Sequence, residues 1–139
     1  MKHKKSIQIL NNLLDINNER AIIYSLVKDE IIYDDLKETL AACIKKSELC
    51  RAQLAEERNR MGTQENNETG PHQEFFKVWL EINECLSKHK RERISSLFTA
   101  SENIYKTTYA NALRKDNSKH LSFRHKSLIW KQNELIKAN

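Results

Sequence analysis

The amino-acid sequence predicts an all-α protein built from long helices, and three observations support this. The 139 residues include only two glycines and one proline, the residue types that most often interrupt helices. Charged residues are abundant, and runs of β-branched residues are scarce. Apolar residues recur at intervals of three and four, which places them on one side of a helix. The length indicates a single domain, residues 1–139, with one core.

The first predicted helix covers residues 4 to about 31. Its apolar stripe includes Leu10 and Val27. Asn17 is a polar residue inside this stripe, and Tyr24 follows it by seven residues, which is two turns along the same face. We interpret Asn17 and Tyr24 as partners in core hydrogen bonds between helices.

The second predicted helix follows a short connection, so it should run antiparallel to the first. Asp35 followed by Glu38 has the spacing of a capping box and indicates the start of this helix. Gly62 is the predicted stop. Ser47 is a polar residue at the middle of the stripe.

Residues 62–72 contain both glycines and the only proline, and they form the clearest break in the chain. A short amphipathic helix follows, with Phe75, Trp79 and Ile82 on its apolar face. We expect this face to pack on the long helices or to take part in a contact between two copies of the chain. The whole connection is predicted to cover about residues 62–89.

The third long helix includes residues 94–113. Glu102 borders its apolar stripe, and Tyr109 follows Glu102 by seven residues. Metal-binding bundles place a carboxylate ligand and its hydrogen-bond partner in this way, and an ordinary bundle can hold one buried acid in the same way. Both interpretations remain open at this point.

The last helix is predicted over about residues 118–138, with an N-cap from residues 116–118. His125 lies on its apolar stripe and could face Glu102. The pattern is thus two antiparallel helix pairs joined by one long crossover that carries a short extra helix. This is the arrangement of a ferritin-like four-helix bundle.

Several segments between about Leu10 and Leu113 resemble, in order and spacing, a bacterial family of ferritin-like four-helix bundles that is classed as a domain of unknown function. The fourth helix is less similar. The resemblance implies a ferritin-like fold and a role in stress response, with no established reaction. The segments are ILNNLLDINNERAIIY, QLAEERNRMG, FFKVWLEI and SENIYKTTYANAL.

The ferritin-like superfamily uses a two-metal carboxylate site, with a Glu on each of two helices and Glu-x-x-His on the other two. By this resemblance Asn17 stands where the first acid is needed, and Glu102 matches the third-helix acid. Glu48 is followed at i+3 by Arg51, where a histidine is needed, and no histidine has an acid three residues before it. We therefore expect no cofactor. The alternative is iron or manganese at a reduced site of Glu48, Glu102 and His125.

The charge distribution, the apolar stretches and the cysteines restrict the binding partners and the cellular compartment that the sequence predicts. Residues 71–139 carry 13 basic and 7 acidic side chains, but the two signs alternate, which favours a solvated helix surface over binding of nucleic acid. No apolar stretch has the length of a transmembrane helix, so we expect no membrane partner. Cys43, Cys50 and Cys85 form no CxxC motif, which indicates buried thiols in a reducing compartment, the cytoplasm.

Three functions are consistent with these observations. The first is a ferritin-like bundle with a degenerate metal site that acts without catalysis, as a stress-related or interaction protein and a homo-oligomer. The second is a metal-binding oxidase or storage protein with the reduced ligand set. The third is a basic bundle that binds nucleic acid. We rank them in that order.

Overall fold

The computed structural model describes residues 4–62, 71–80 and 90–137, and every regular element in these ranges is a helix. The predicted all-α class is therefore confirmed for the described residues. In chain order the helices are α1 (Lys4–Glu30), α2 (Asp34–Arg60), α3 (Pro71–Val78), α4 (Arg91–Leu113), α5 (Lys115–Ser118) and α6 (Phe123–Lys137).

Two helix ends follow from local backbone chemistry. After the end of α2, Gly62 adopts a φ of 89°, a left-handed conformation that favours glycine, so the predicted stop is confirmed. α6 begins later than the sequence predicts. The hydroxyl of Ser122 accepts a hydrogen bond from the N–H of His125 at 3.1 Å and caps the first turn. The residues expected to cap α6 instead belong to the short helix α5.

The start of α2 also differs from the predicted capping box. Tyr33 is the N-cap residue, and its side chain makes no capping hydrogen bond. Asp35 lies in the first turn, where a negative charge interacts favourably with the helix dipole. Its carboxylate forms a bidentate ion pair with Arg91, the first residue of α4. The first turns of α2 and α4 therefore lie at the same end of the molecule.

Each of the four long helices packs against two of the others. α1 packs against α2 and α4, and α6 packs against the other sides of α2 and α4. α1 and α2 are antiparallel, because Asn11 bonds to Arg58 while Arg20, further along α1, bonds to Ser47, nearer the start of α2.

α4 is also antiparallel to α1. Asn17 bonds to Tyr109, and Tyr24, seven residues further along α1, bonds to Glu102, seven residues back along α4. α6 is antiparallel to α2, since its first turn bonds to Glu57 and its later residues reach the carbonyl of Cys50. α1 and α6 therefore run in one direction, and α2 and α4 in the other.

The short helix α3 packs on α1 and α4. The rings of Phe75 and Trp79 are buried, and their centroids lie 5.6 and 5.9 Å from that of Tyr24. The structure thus places these two residues of the predicted apolar face in the core. Ile82 lies outside the described residues. Phe76 and Leu80 form the exposed face of this segment.

In the described ranges, no helix has the length and apolar character that crossing a lipid bilayer requires.

The position of α3 predicts a contrast between two neighbouring aromatic residues. Trp79→Ala should lower the free energy of unfolding by about 3 kcal/mol or more, because it removes a buried ring. Phe76→Ala, on the exposed side of the same segment, should cost less than about 1 kcal/mol. Urea unfolding of both variants measures the difference. A cost below about 0.5 kcal/mol for Trp79→Ala would show that its ring is not part of the core.

Candidate functional site

The centre of the bundle holds an ion pair between Arg20 of α1 and Glu102 of α4. Nε and Nη2 of Arg20 donate to the two carboxylate oxygens of Glu102 at 2.9 and 2.7 Å. The arginine side chain is 2% exposed and the glutamate side chain 13%. The hydroxyl of Tyr24 donates to the same carboxylate at 2.6 Å. Glu102 therefore accepts three hydrogen bonds from residues of α1, two from the charged guanidinium of Arg20 and one from the hydroxyl of Tyr24.

The remaining nitrogen of Arg20 binds to α2. Nη1 donates to the hydroxyl of Ser47 at 2.9 Å and to the carbonyl of Cys43 at 3.1 Å. The guanidinium carbon lies 4.0 Å from the centroid of the Tyr105 ring, a cation–π distance. Burial by itself would lower the pKa of Arg20, but the hydrogen bonds and charge of Glu102 outweigh it and raise the pKa. The guanidinium thus stays charged in the core.

A second set of hydrogen bonds continues from α1 to α6 through Asn17. The amide oxygen of Asn17 accepts from Tyr105 at 2.6 Å, and its nitrogen donates to Tyr109 at 2.8 Å. Tyr109 then donates to Gln132 of α6 at 2.7 Å. Gln132 in turn donates to Gln53 of α2 at 3.0 Å. Through these two sets, polar contacts connect all four long helices.

The three buried tyrosines act as neutral hydrogen-bond donors. Burial raises the pKa of Tyr24, Tyr105 and Tyr109 above the ordinary value for a phenol. The charge of Glu102 raises the pKa of Tyr24 further. Their hydroxyls therefore keep their protons at neutral pH and hold Glu102 and Asn17 in place.

The seven-residue spacings in the sequence have a simple structural meaning. Residues seven apart on one helix lie about 10 Å apart along its axis, so Glu102 cannot reach Tyr109, and Asn17 cannot reach Tyr24. Because α1 and α4 are antiparallel, each polar residue instead meets the tyrosine of the other helix. The hydrogen bond predicted for Asn17 is thus present, with partners on α4.

The three residues of the predicted reduced metal site lie apart. Glu48 is exposed on α2, while Glu102 is held by Arg20. His125 is buried, and its Nε2 lies 3.2 Å from Glu57. Within the part of the chain that the structure describes, no three His, Cys, Asp or Glu side chains are close enough to hold a metal ion together.

Arg20 is the site residue that the sequence interpretation missed. The apolar stripe predicted for the first helix contains no charged residue, but the structure buries Arg20 on this face and leaves the neighbouring Ala21 half-buried. The spacing carried a signal, since Arg20 follows Asn17 by three residues and precedes Tyr24 by four. Arg51, the arginine expected near the metal position, is exposed on α2.

A second ion-pair cluster joins α2 to the start of α6. Arg124 donates to both carboxylate oxygens of Glu57 at 2.7 and 2.9 Å, and Nε2 of His125 lies beside the same group. The hydrogen bonds from Arg124 are the main reason that the pKa of Glu57 is lowered. The cluster holds the first turn of α6 against α2.

Comparison of the chain with protein-family models, with curated proteins and with solved structures finds no match in any of the three.

The lowered pKa of Glu57 predicts a specific pH dependence of stability. Because the folded state binds this proton less tightly than the unfolded state, ionised Glu57 stabilises the fold above its ordinary pKa of 4.5. This stabilisation is lost as the pH falls through the lowered pKa. Glu57→Gln should therefore be less stable than the wild type at pH 7, and the difference should shrink below about pH 4.5.

Urea unfolding across a pH series measures this difference. Glu56→Gln is the matched control, because the carboxylate of Glu56 is exposed and pairs with the exposed Arg60 of the same helix. A Glu57→Gln deficit that is equal at pH 7 and at acidic pH would contradict the assignment.

Proposed function

We propose that the protein is a non-catalytic, ferritin-like four-helix bundle that acts by association, as a homo-oligomer. In this proposal its own arginine takes the mid-bundle position that metal ions occupy in the superfamily. The observation that carries the proposal is the bidentate contact between Arg20 and Glu102. A guanidinium group satisfies the carboxylate that would otherwise be a metal ligand.

The helix directions support the ferritin-like arrangement. α1 and α6 run opposite to α2 and α4, and α3 comes between α2 and α4 in the chain. A bundle whose second and third long helices are parallel requires a long connection between them. That is the ferritin-like variant of the four-helix bundle.

The electrostatics support a site without metal. A divalent cation beside Glu102 would be repelled by the positive charge of Arg20 only a few ångströms away. Displacing the guanidinium would leave it charged and without its partner in a buried position, which is costly. The alternative, an iron- or manganese-dependent oxidase or storage protein, would also require Glu48 to turn inward and His125 to leave Glu57.

Exposed apolar side chains support association. Ile22 and Leu26 are exposed on α1, and Phe76 and Leu80 are exposed on the α3 segment that packs beside it. Exposed apolar pairs of this kind often mark a protein contact. A symmetric dimer would place this surface against its own copy.

A second exposed aromatic surface is less suited to self-association. Phe123 and Trp130 lie on the outer face of α6, with the exposed Lys126 and Lys131 on either side. α6 carries four arginine or lysine residues and one acid, so a symmetric contact through α6 would bring like charges together. The surface of α1 and α3 is therefore the one we assign to association. The cytoplasmic location and the role in stress response stay predictions of the sequence.

The proposal is tested on protein purified aerobically with added iron and manganese. Elemental analysis should find no stoichiometric metal, and sedimentation equilibrium should give a mass above that of the monomer. About two metal ions per chain, lost in Glu102→Gln, would contradict the proposal and favour the oxidase or storage protein.

Paired variants localise the association. Phe76→Ser combined with Leu80→Ser should shift the protein toward the monomer, because it removes the apolar contact surface. Leu49→Ser, at an exposed leucine on α2, is the control and should leave the mass unchanged. A monomeric wild-type protein at high micromolar concentration would rule out function by self-association.

A further inference from the structure

The positive charge of the chain is concentrated in its last two helices. Residues 114–137 contain seven lysine or arginine residues and two acids, a balance of +5. This balance equals the formal net charge of the whole chain, so the remaining residues are neutral in sum. The structure describes all of residues 114–137, which include α5 and α6. An excess of one sign on one segment attracts a surface of the opposite sign.

The outer side of α6 adds exposed aromatic rings to this charge. Phe123 is 86% exposed and Trp130 is 56% exposed. Phe123, Ser127 and Trp130 are spaced by four and three residues, so they form one line along the helix. The two aromatic residues are about 10 Å apart along the helix axis. We call Phe123, Lys126, Trp130 and Lys131 the α6 face.

Exposed cations border the aromatic line. Helical spacing places Lys126 on one side of the line and Lys131 on the other. Both lysines are exposed, and neither forms an ion pair among the residues that the structure describes. Glu134, the one acid in the sequence of α6, follows Trp130 by four residues and lies in the line itself. Its carboxylate is 3.9 Å from Nζ of Lys137.

The neighbouring helices do not offset the charge of the α6 face. α6 packs against α2 and α4. After the first turn of α4 the only acid in its sequence is Glu102, which is paired with Arg20. Between Lys45 and Arg60, α2 carries five basic and three acidic residues. The α6 face therefore lies in a region of positive charge that includes both of its neighbours.

We propose that the α6 face binds the surface of a lipid bilayer that contains anionic lipids. The bundle lies on its side, with Phe123 and Trp130 at the level of the head groups and with Lys126 and Lys131 against lipid phosphates. Tryptophan favours the boundary between water and lipid, because one end of its ring system is apolar and the other is polar. Lysine reaches the head groups while its methylene stem covers apolar surface. Basic residues beside a bilayer add affinity for anionic lipids.

The shape of the α6 face favours a lipid surface over other anionic partners. The face is the outer side of a single helix and is therefore convex, whereas single-stranded nucleic acid and partner helices bind in grooves. A phosphate backbone laid along the helix would also meet the carboxylate of Glu134. A fluid bilayer needs no groove.

This inference goes beyond the proposed association and uses a different surface from that of α1 and α3. It also revises one sequence prediction. The expectation of no membrane partner was based on the length of a membrane-spanning helix, and a contact that lies in the plane of the interface does not require such a helix.

Co-sedimentation of the full chain with lipid vesicles tests the partner. Phosphatidylcholine vesicles with about one-third phosphatidylglycerol carry negative charge, and vesicles of phosphatidylcholine alone do not. We expect saturable binding to the anionic vesicles, at least about tenfold tighter than to the neutral ones and weaker at high salt. The fluorescence emission of Trp130 should shift to shorter wavelength on binding, because its ring leaves water. The other tryptophan, Trp79, is already buried.

Matched variants test the location. Lys126→Gln and Lys131→Gln should each weaken binding to anionic vesicles about fivefold, because each removes one basic residue from the bilayer surface. Lys77→Gln removes the same charge from the exposed side of α3 and should bind like the wild type. Trp130→Ser should weaken binding at least about tenfold and abolish the emission shift. Ile32→Ser, at an exposed residue between α1 and α2, is its control and should retain both. Circular dichroism and urea unfolding establish that each variant is folded.

Three results would overturn the inference. They are the absence of saturable binding to anionic vesicles, equal binding to neutral vesicles, and unchanged binding in folded Lys126→Gln and Trp130→Ser. Oligothymidylate and poly-L-glutamate test the competing partners. If either binds more tightly than the anionic vesicles and loses affinity in Trp130→Ser, the α6 face binds nucleic acid or an acidic protein segment, and the lipid proposal is wrong.

Discussion

An arginine buried in a helical bundle must find a partner for its charge and an acceptor for each of its nitrogens. Arg20 satisfies this requirement with Glu102 of α4 and with Ser47 and the carbonyl of Cys43 on α2. The requirement restricts three helices at once. A shift of one turn in α1 or α4 would leave a buried charge unpaired, and a shift in α2 would leave Nη1 of Arg20 without its acceptors. We infer that this ion pair fixes the register of α1, α2 and α4.

The polar contacts around the pair extend that restriction to the rest of the bundle. Tyr24 donates a hydrogen bond to Glu102. Asn17 donates to Tyr109, which in turn donates to Gln132 of α6. These groups are buried, so each depends on its partner for hydrogen bonding. Buried polar groups of this kind contribute less to stability than apolar packing does. We infer that they stabilise this arrangement of the helices relative to arrangements in a different register. The positive charge of Arg20 would also repel a metal ion placed beside Glu102.

Much of the architecture could be predicted from the sequence, because it depends on local periodicity. Helix spacing placed Asn17, Ser47 and Glu102 at mid-bundle depth, and Gly62 marked the end of α2. Helix spacing puts Arg20 on the same face as Asn17 and Tyr24, but its burial could not be predicted, since it depends on an acid 82 residues away and on a register that one helix does not reveal. The start of α6 was misplaced because residues 116–118 and Ser122 are all suitable caps, and tertiary contacts decide between them.

A double-mutant cycle on Arg20→Met and Glu102→Leu, followed by urea unfolding, measures whether this pair organises the bundle. If it does, each single variant leaves a charged group without its partner, and the double variant is more stable than the two single losses predict, by about 2 kcal/mol or more. Losses that add to within about 0.5 kcal/mol would show that the two residues act independently. That result would contradict the account.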